Sequence, residues 1–251
     1  MHDVGRAQMI LTSILLADEG AANQPLPPKV VENIESFKQH HPVLEHRLFR
    51  TEETRAFVAA EYGGEVLAAY DTLKPYAYKS DLARLCILLK HGGLYADLSV
   101  YFLRSWRQED NQLGIFRDFF FAAPWQTANT VFFAPPGHKA LAKGIELICE
   151  NVRKRRYGKT FLCPTGPICF GRALAMTCDS EEYVSGDSAW CREVPDHPGL
   201  IAQSGAHGFV IGSQIVAVMR KRGGAPPSEI GITGGNAYTE MWYQRDIYNA
   251  P

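Results

Sequence analysis

The sequence has little excess charge, no long apolar run, and none of the short motifs that mark common hydrolases and nucleotide-binding enzymes. Its 26 Lys and Arg residues nearly balance its 27 Asp and Glu residues, so no broad field attracts DNA or RNA. No apolar stretch approaches the roughly 20 residues that cross a bilayer. G-x-S-x-G, H-E-x-x-H, Walker A and G-x-G-x-x-G patterns are missing, which argues against hydrolase, zinc-protease, NTPase and dinucleotide-binding classes.

The six cysteines form neither a C-x-x-C pair nor a zinc-finger spacing. Cys86 and Cys149 lie in apolar helical patterns, where Cys acts as a small core residue. Disulfides among the other four stay open, but a chain this long does not need them, and we expect reduced thiols. Residues 9–16 lack the flanks of a signal peptide. We therefore expect a cytoplasmic protein without a transmembrane segment, and leave peripheral membrane association open.

The first part of the chain alternates apolar runs with amphipathic helical patterns. This β-α-β-α order predicts an α/β fold with a mixed, mainly parallel central sheet and flanking helices. We expect a single domain over residues 1–251. The expected elements are a strand over 9–16, a helix from Pro28 to about 39, a strand over 44–50, and a helix from 51 that Gly63-Gly64 ends.

The pattern is sharpest over residues 80–102. Ser80 is placed to cap a helix whose leucines recur at helical spacing. Gly92-Gly93 ends that helix by allowing left-handed backbone angles, and residues 94–102 predict one strand. Further along we expect strands over 119–123, 130–134, 209–212 and 215–218, a helix over 138–156, and an ordered loop over 231–251.

Three features that bear on chemistry converge in this segment. Asp81 and Arg84 are three residues apart on a helix, so their side chains share a face. Gly92-Gly93 lets a ligand approach the backbone, and Asp97 follows at the end of a strand, where α/β sheets place ligand-binding groups. A carboxylate there is suited to a divalent cation on a pyrophosphate, since Mg²⁺ and Mn²⁺ prefer oxygen ligands.

Each feature also has a structural explanation. Taken alone, Asp81 and Arg84 make a surface ion pair of little energetic value. Asp97 alone caps a turn, and Tyr95 is an ordinary core aromatic. Only the combination of these residues within twenty positions favours a binding site.

That combination resembles a known signature. Residues 79–84 (KSDLAR) and 92–99 (GGLYADLS) are similar to the motif of DxD-containing sugar transferases, glycosyltransferase family 32, and to the catalytic domains of large clostridial glucosylating toxins. The resemblance is strong over 75–103. It is weaker over 9–50, 129–138 and 165–167 and at Trp242.

The resemblance implies a GT-A fold, a nucleotide-sugar donor, Mn²⁺ or Mg²⁺ as cofactor, and transfer with retained anomeric configuration. It implies catalytic roles for Asp81, Arg84 and Asp97, with Asp97 and Ser99 at the metal. It implies a donor-binding set of Ser80, Asp81, Arg84, Gly93, Tyr95, Asp97, Ser99 and Trp242, with Trp242 on a C-terminal loop that closes over the diphosphate.

Two positions depart from the family pattern. Ser99 replaces the second DxD carboxylate, and a neutral hydroxyl is a weaker partner for a hard cation, so we expect weakened metal dependence. Leu15 stands where the family has a Trp that stacks on the base. The standard mode of base stacking is therefore in question.

We predict a hexosyltransferase that moves a hexose from a nucleoside-diphosphate sugar to a hydroxyl acceptor in glycan or polysaccharide synthesis. Residues 1–103 would form the donor half and 104–251 the acceptor side and closing loop. Two alternatives stay open: an inactive module that binds donor or a partner, and a transferase that modifies proteins. The sequence does not specify the sugar, base, acceptor or oligomeric state.

Overall fold

The computed structural model describes residues 9–106, 112–118, 123–195, 197–201, 205–222 and 224–250. Nine strands lie within these ranges. They are β1 (Ile10–Leu15), β2 (Glu45–Arg50), β3 (Gly93–Ala96), β4 (Val100–Phe102), β5 (Leu113–Arg117), β6 (Thr127–Ala134), β7 (Tyr183–Cys191), β8 (Ala206–Ile211) and β9 (Gln214–Met219).

The helices of the described ranges are α1 (Glu19–Ala22), α2 (Pro28–His40), α3 (Thr51–Glu61), α4 (Gly64–Thr72), α5 (Tyr76–His91), α6 (Lys139–Arg153), α7 (Pro167–Thr177) and α8 (Tyr238–Tyr243), with a short 3-10 helix over Pro227–Ile230. No described helix has the length and apolar character needed to cross a membrane. All six cysteines are free thiols in the structure.

The strands form a single sheet in the order β2-β1-β3-β6-β5-β7-β8-β9-β4. The predicted α/β fold with a mixed sheet is confirmed, but the sheet is not mainly parallel. Of the eight neighbouring pairs in the described chain, only β1–β2, β1–β3 and β5–β7 are parallel. The other pairs are antiparallel. Among them, β8–β9 is a hairpin that a short turn connects without a crossover helix.

Most predicted elements in the first half are present. The strand at 9–16 is β1, the helix from Pro28 is α2, the strand at 44–50 is β2, and Thr51 begins α3. Later, β6, β8 and β9 match predicted strands, and His138 caps α6 by accepting from the Ala140 N–H. The strand predicted at 119–123 lies mainly outside the described residues. The ordered loop predicted at 231–251 contains α8, and the short helix α1 lies between β1 and α2.

Two local predictions around the motif are wrong. Ser80 does not cap a helix, because α5 begins four residues earlier behind Pro75, whose fixed φ suits a helix start. Residues 94–102 are not one strand. They form β3 at the middle of the sheet and β4 at its edge, joined by a corner over 97–99.

Gly93 lets β1 and β3 pair closely. Its φ is 103°, and a Cβ added there would lie 2.0 Å from the carbonyl oxygen of Ile10, the residue it pairs with. Gly92, with φ 65°, ends α5 as predicted. Two glycines in succession therefore turn the chain from α5 directly into a central strand.

Apolar layers cover both faces of the sheet. Helices α3 to α7 pack on one face with Tyr95, Phe132 and Leu113 beneath them. On the other face α2 packs over Leu94, Ala96 and residues of β4, β8 and β9. Because successive residues of β3 point to opposite faces, Tyr95 faces the α5 layer, the same side from which Asp81 and Arg84 project.

Candidate active site

The corner over residues 97–99 is fixed by backbone hydrogen bonds from three directions. The Asp97 N–H donates to the Thr130 carbonyl (2.9 Å), and the Val100 N–H donates back to the Asp97 carbonyl (2.9 Å). The Arg220 N–H, just past β9, donates to the Ser99 carbonyl (2.7 Å). The Asp97 carboxylate therefore stands on a rigid backbone at the end of β3, where the sequence placed it.

Asp97 is held by two neighbours and is open on another side. The Tyr95 hydroxyl donates to Asp97 Oδ1 at 2.6 Å, and Arg84 Nη1 lies 3.3 Å from the same oxygen. The Asp97 side chain is nonetheless 30% exposed, whereas that of Arg84 is 6% exposed. The second carboxylate oxygen is thus available to a ligand.

Arg84 is the centre of the cluster. Its guanidinium lies 3.3 Å from Asp81 Oδ1, stacks 4.4 Å from the Tyr95 ring centroid, and donates to the carbonyls of Asn129 (2.5 Å) and Ser80 (3.1 Å). Burial alone would lower the pKa of the guanidinium, but Tyr95 and the two carboxylates raise it above its ordinary value. Arg84 is therefore a permanent cation between two acids.

Asp81 is buried and has both oxygens in use. Its Oδ1 accepts from Asn129 Nδ2 (2.8 Å) and pairs with Arg84, and its Oδ2 accepts from the Thr165 hydroxyl (2.7 Å). Burial raises the pKa of this carboxyl, while Arg84 and these two hydrogen bonds oppose the rise. Asp81 and Arg84 are a buried pair and not the surface pair that spacing alone suggests.

Tyr95 acts as a neutral hydrogen-bond donor. Burial, first of all, raises the pKa of its phenol well above 10, and the Asp97 carboxylate adds to the effect. The ring packs in the α5 layer while the hydroxyl reaches Asp97. Tyr95 therefore has both of the roles between which the sequence did not decide: it is a core aromatic and a residue of the site.

Thr165→Val tests the Asp81 network. The change keeps the side-chain volume but removes a donor from a buried carboxylate, so we expect the free energy of unfolding to fall by about 1–3 kcal/mol. Chemical denaturation would measure it. Thr177→Val is the matched control, since that hydroxyl donates to the Ala173 carbonyl within α7 and otherwise contacts the Cys178 sulfur at 3.6 Å, and it should matter less. Equal losses in both variants would show that Thr165 makes no special contribution.

Ser99 is poorly suited to metal binding. Its side chain is 2% exposed, and its hydroxyl has no hydrogen-bond partner among the described residues. Asp97 is then the one carboxylate at the corner, and no group of three His, Cys, Asp or Glu side chains in the described chain is arranged to hold a metal ion. This donor set does not fit a tightly bound divalent cation.

The structure places three other predicted residues at varying distance from the cluster. Ser80, within α5, contributes its carbonyl to Arg84, and Gly93 contributes the tight β1–β3 pairing. Trp242 is buried at 8% exposure with its indole N–H on the Tyr157 carbonyl (2.9 Å). Its lid role stays a prediction that requires α8 to move. Leu15 is a core residue, at 6% exposure.

The sequence motif did not place four residues of this region in the charged cluster. Asn129 and Thr165 bind Asp81, and both lie in segments where the family resemblance was weak but present. Burial raises the pKa of the phenol of Tyr238, at the start of α8, and the Asp81 and Asp97 carboxylates add to the effect. Lys221 follows β9. Burial lowers the pKa of its ammonium, and the Asp97 carboxylate opposes that shift. No sequence signal pointed to Tyr238 or Lys221.

Two open cavities flank Trp125. One, about 410 Å³, is lined by Trp125, Tyr157, Pro164 and Arg172 among others. The second, about 320 Å³, lies toward Arg117, Gln126 and Tyr183. Neither is lined by Arg84, Tyr95 or Asp97. The first reaches Pro164, next to the threonine that binds Asp81, so it adjoins the charged cluster without containing it.

Comparison with known proteins agrees with this geometry. Residues 27–120 match the family model described as "Glycosyltransferase sugar-binding region containing DXD motif". This part of the chain is therefore similar to a glycosyltransferase sugar-binding region. The matched span runs from α2 through α5, β3 and the corner at Asp97, so it contains most of the charged cluster. The match confirms the resemblance to DxD sugar transferases and identifies an enzyme of the glycosyltransferase class.

Solved structures support the fold of this glycosyltransferase. It superposes on a PaToxG glycosyltransferase with a TM-score of 0.53 at 16% identity, over 68% of this chain and 69% of that one. A galactosyltransferase, LgtC, in complex with donor and acceptor sugar analogs gives a TM-score of 0.36 at 20% identity, over 58% of this chain and 64% of that one. The match to the PaToxG glycosyltransferase confirms the predicted GT-A-like fold. A search of curated proteins returned no match.

Proposed function

We propose that this glycosyltransferase moves a hexose from a nucleoside-diphosphate sugar to a hydroxyl acceptor, with Asp97 as the carboxylate that meets the donor. The observation that carries the proposal is the contrast in exposure within one cluster. The side chains of Asp81 and Arg84 are 10% and 6% exposed, and that of Asp97 is 30% exposed. A fixed carboxylate with a free oxygen is suited to accept hydrogen bonds from the hydroxyls of a ribose or sugar.

The bond changes define what the site must do. The bond from the anomeric carbon to the diphosphate oxygen breaks, and its electron pair leaves with the diphosphate. The acceptor oxygen bonds to the anomeric carbon, and its proton passes to an oxygen of the departing diphosphate. We infer attack from the face that the diphosphate leaves, so that configuration is retained. The site must therefore stabilise negative charge on the leaving group.

Asp81 and Arg84 enter this proposal chiefly through position. Since both Asp81 oxygens have internal partners, the pair orients Tyr95 and Asp97 and surrounds the donor sugar with fixed charges. Preorganised charges of this kind stabilise a transition state without reorganising during the reaction. Contact of Asp81 itself with the sugar requires that Asn129 or Thr165 give way to a donor hydroxyl.

The acceptor side is proposed to lie at the 410 Å³ cavity next to Thr165. Its volume is within the range of small-ligand sites, and Trp125 and Tyr157 offer aromatic surface for a sugar. Segment 165–167 opens α7 and contacts Asp81, so it joins this cavity to the donor cluster. We propose glycan or polysaccharide synthesis as the context, with a hydroxyl on a saccharide as acceptor.

A thermal-shift screen of UDP-, GDP- and CMP-sugars, each with EDTA or Mn²⁺, tests donor binding. A ligand of the native state at 100 times its Kd adds about 2.7 kcal/mol to the free energy of unfolding. Hydrolysis of the stabilising donor then tests turnover, and NMR of the product tests retention. If no donor stabilises the protein and none is hydrolysed in either condition, the chain is an inactive module and the proposal is wrong.

Asp97→Asn tests the donor carboxylate. The amide keeps the volume and can still accept from Tyr95, so we expect a change in the melting temperature of only a few degrees. Loss of a charged acceptor should lower the rate of donor hydrolysis about 10- to 100-fold. Asp246→Asn is the control, because that carboxylate pairs with Lys74 at the surface. Hydrolysis within threefold of the native rate would exclude Asp97 from the site.

Labelled donor incubated with cell lysate separates the acceptor classes. Label in lipid-linked or free saccharide supports the proposed context. Label in protein that resists lipid extraction would support a protein-modifying transferase instead.

A further inference from the structure

The corner at Asp97 has a cation that the family motif does not include. In the antiparallel pair of β4 and β9, Val100 is opposite Met219, and the next bond joins the Arg220 N–H to the Ser99 carbonyl. Continuing this register places Lys221 opposite Leu98, the middle residue of the corner. The backbone of Lys221 therefore runs alongside the corner, one residue beyond Arg220, which is opposite Ser99.

The ammonium of Lys221 has capacity for another ligand. It donates to the Ala225 carbonyl at 2.9 Å, its only hydrogen bond within the described chain. Burial lowers its pKa, and the carboxylates of Asp97 and Glu229 oppose this through space. Glu229 is itself bound by Arg222 at 2.6 Å. A half-buried ammonium without a carboxylate in direct contact is suited to bind an anion.

The net charge at the corner explains why a lysine can replace a divalent cation there. In a DxD site, two carboxylates and a divalent cation sum to zero. Here one carboxylate and one ammonium also sum to zero, so an incoming diphosphate meets the same net charge. Ser99 is consistent with an ammonium in place of the metal ion. A second carboxylate near Lys221 would neutralise the ammonium, whereas a buried hydroxyl without a partner in the described chain does not.

We propose that Lys221 binds the diphosphate of the donor and offsets the charge of the leaving group, in place of a tightly held divalent cation. The inference rests on the proposed transferase function. It adds a diphosphate-binding residue to the site and makes the enzyme independent of added metal. The same ammonium then stabilises the electron pair that leaves with the diphosphate.

Binding of UDP and of uridine, measured by calorimetry in EDTA, tests this; GDP and guanosine replace them if the donor screen selects GDP-sugars. We expect Lys221→Met to weaken UDP binding about 10- to 100-fold and to leave uridine binding unchanged, because only UDP carries the diphosphate. Lys221→Arg should recover most of the affinity. Lys143→Met is the control, since that lysine pairs with Glu146 on α6. Circular dichroism would verify that each variant is folded.

Two results would overturn the proposal while leaving the transferase function intact. One is native donor hydrolysis that EDTA abolishes and Mn²⁺ restores. The other is Lys221→Met binding UDP within twofold of the native protein. Failure of the native protein to bind or hydrolyse any donor with either EDTA or Mn²⁺ would instead refute the transferase function itself. Equal loss of UDP and uridine binding would show that Lys221 only supports the fold.

Discussion

Arg84→Met is expected to lower the free energy of unfolding by about 3–5 kcal/mol, because it leaves the buried carboxylate of Asp81 without its cation. Arg84 lies 3.3 Å from both Asp81 Oδ1 and Asp97 Oδ1, and its side chain is 6% exposed. Methionine replaces much of the volume, so the loss would come from the uncompensated charge of Asp81. Donor hydrolysis should fall as well, since the change removes the group that fixes Tyr95 and Asp97.

Chemical denaturation of matched variants would establish the cause. Arg55→Met breaks a bidentate pair with Asp71 that has shorter distances, 2.8 and 2.7 Å, but is exposed to solvent, so the loss of stability should be small. Adding Asp81→Asn to Arg84→Met should recover part of the stability, since it removes the stranded charge. A loss for Arg84→Met no larger than that for Arg55→Met would refute the central role of this cation.

The sequence predicted the elements whose hydrophobic period is regular. Helix α2 and strands β1 and β2 have one consistent pattern each, bounded by proline or polar residues. Helix α7 and strand β7 were missed, since the serine and glycine within β7 interrupt its alternation and α7 follows a turn-like Thr-Gly-Pro.

The corner at 97–99 shows a limit of local patterns. Residues 94–102 have the composition of one strand, but β3 pairs with β6 and β4 pairs with β9, which is over a hundred residues away. The choice of partner strand, which the local sequence does not encode, splits the segment. The split matters for function, because it turns Asp97 out of the strand and toward the site.

The residues of the candidate site also divide into those that the local sequence predicts and those that it does not. Asp81, Arg84, Tyr95 and Asp97 were predicted because they lie close in sequence, and the structure brings them together. The groups that modify them come from distant segments. Asn129 and Thr165 occupy the oxygens of Asp81, which changes that residue from an expected donor contact to a buried anchor. Spacing within one motif cannot show such contacts.

The double variant Ser99→Asp/Lys221→Met is expected to convert the corner from a fixed cation to a metal-dependent site. It places two carboxylates beside each other where the native protein has a buried hydroxyl and an ammonium. Without divalent cations, their repulsion and burial should reduce the free energy of unfolding by about 3 kcal/mol or more. Mn²⁺ at 100 times its Kd should return about 2.7 kcal/mol.

Melting temperatures with EDTA and with Mn²⁺ measure this effect, and Ser99→Ala separates it from loss of packing. Because the native hydroxyl has no partner within the described chain, its removal alone should change stability by less than about 0.5 kcal/mol, with no response to Mn²⁺. If Mn²⁺ stabilises the native protein as much as the double variant, the native corner already binds metal. Asp97 would then hold the metal ion, and Lys221 would only assist it. The charge balance with Lys221 would no longer explain why Ser99 replaces the second carboxylate.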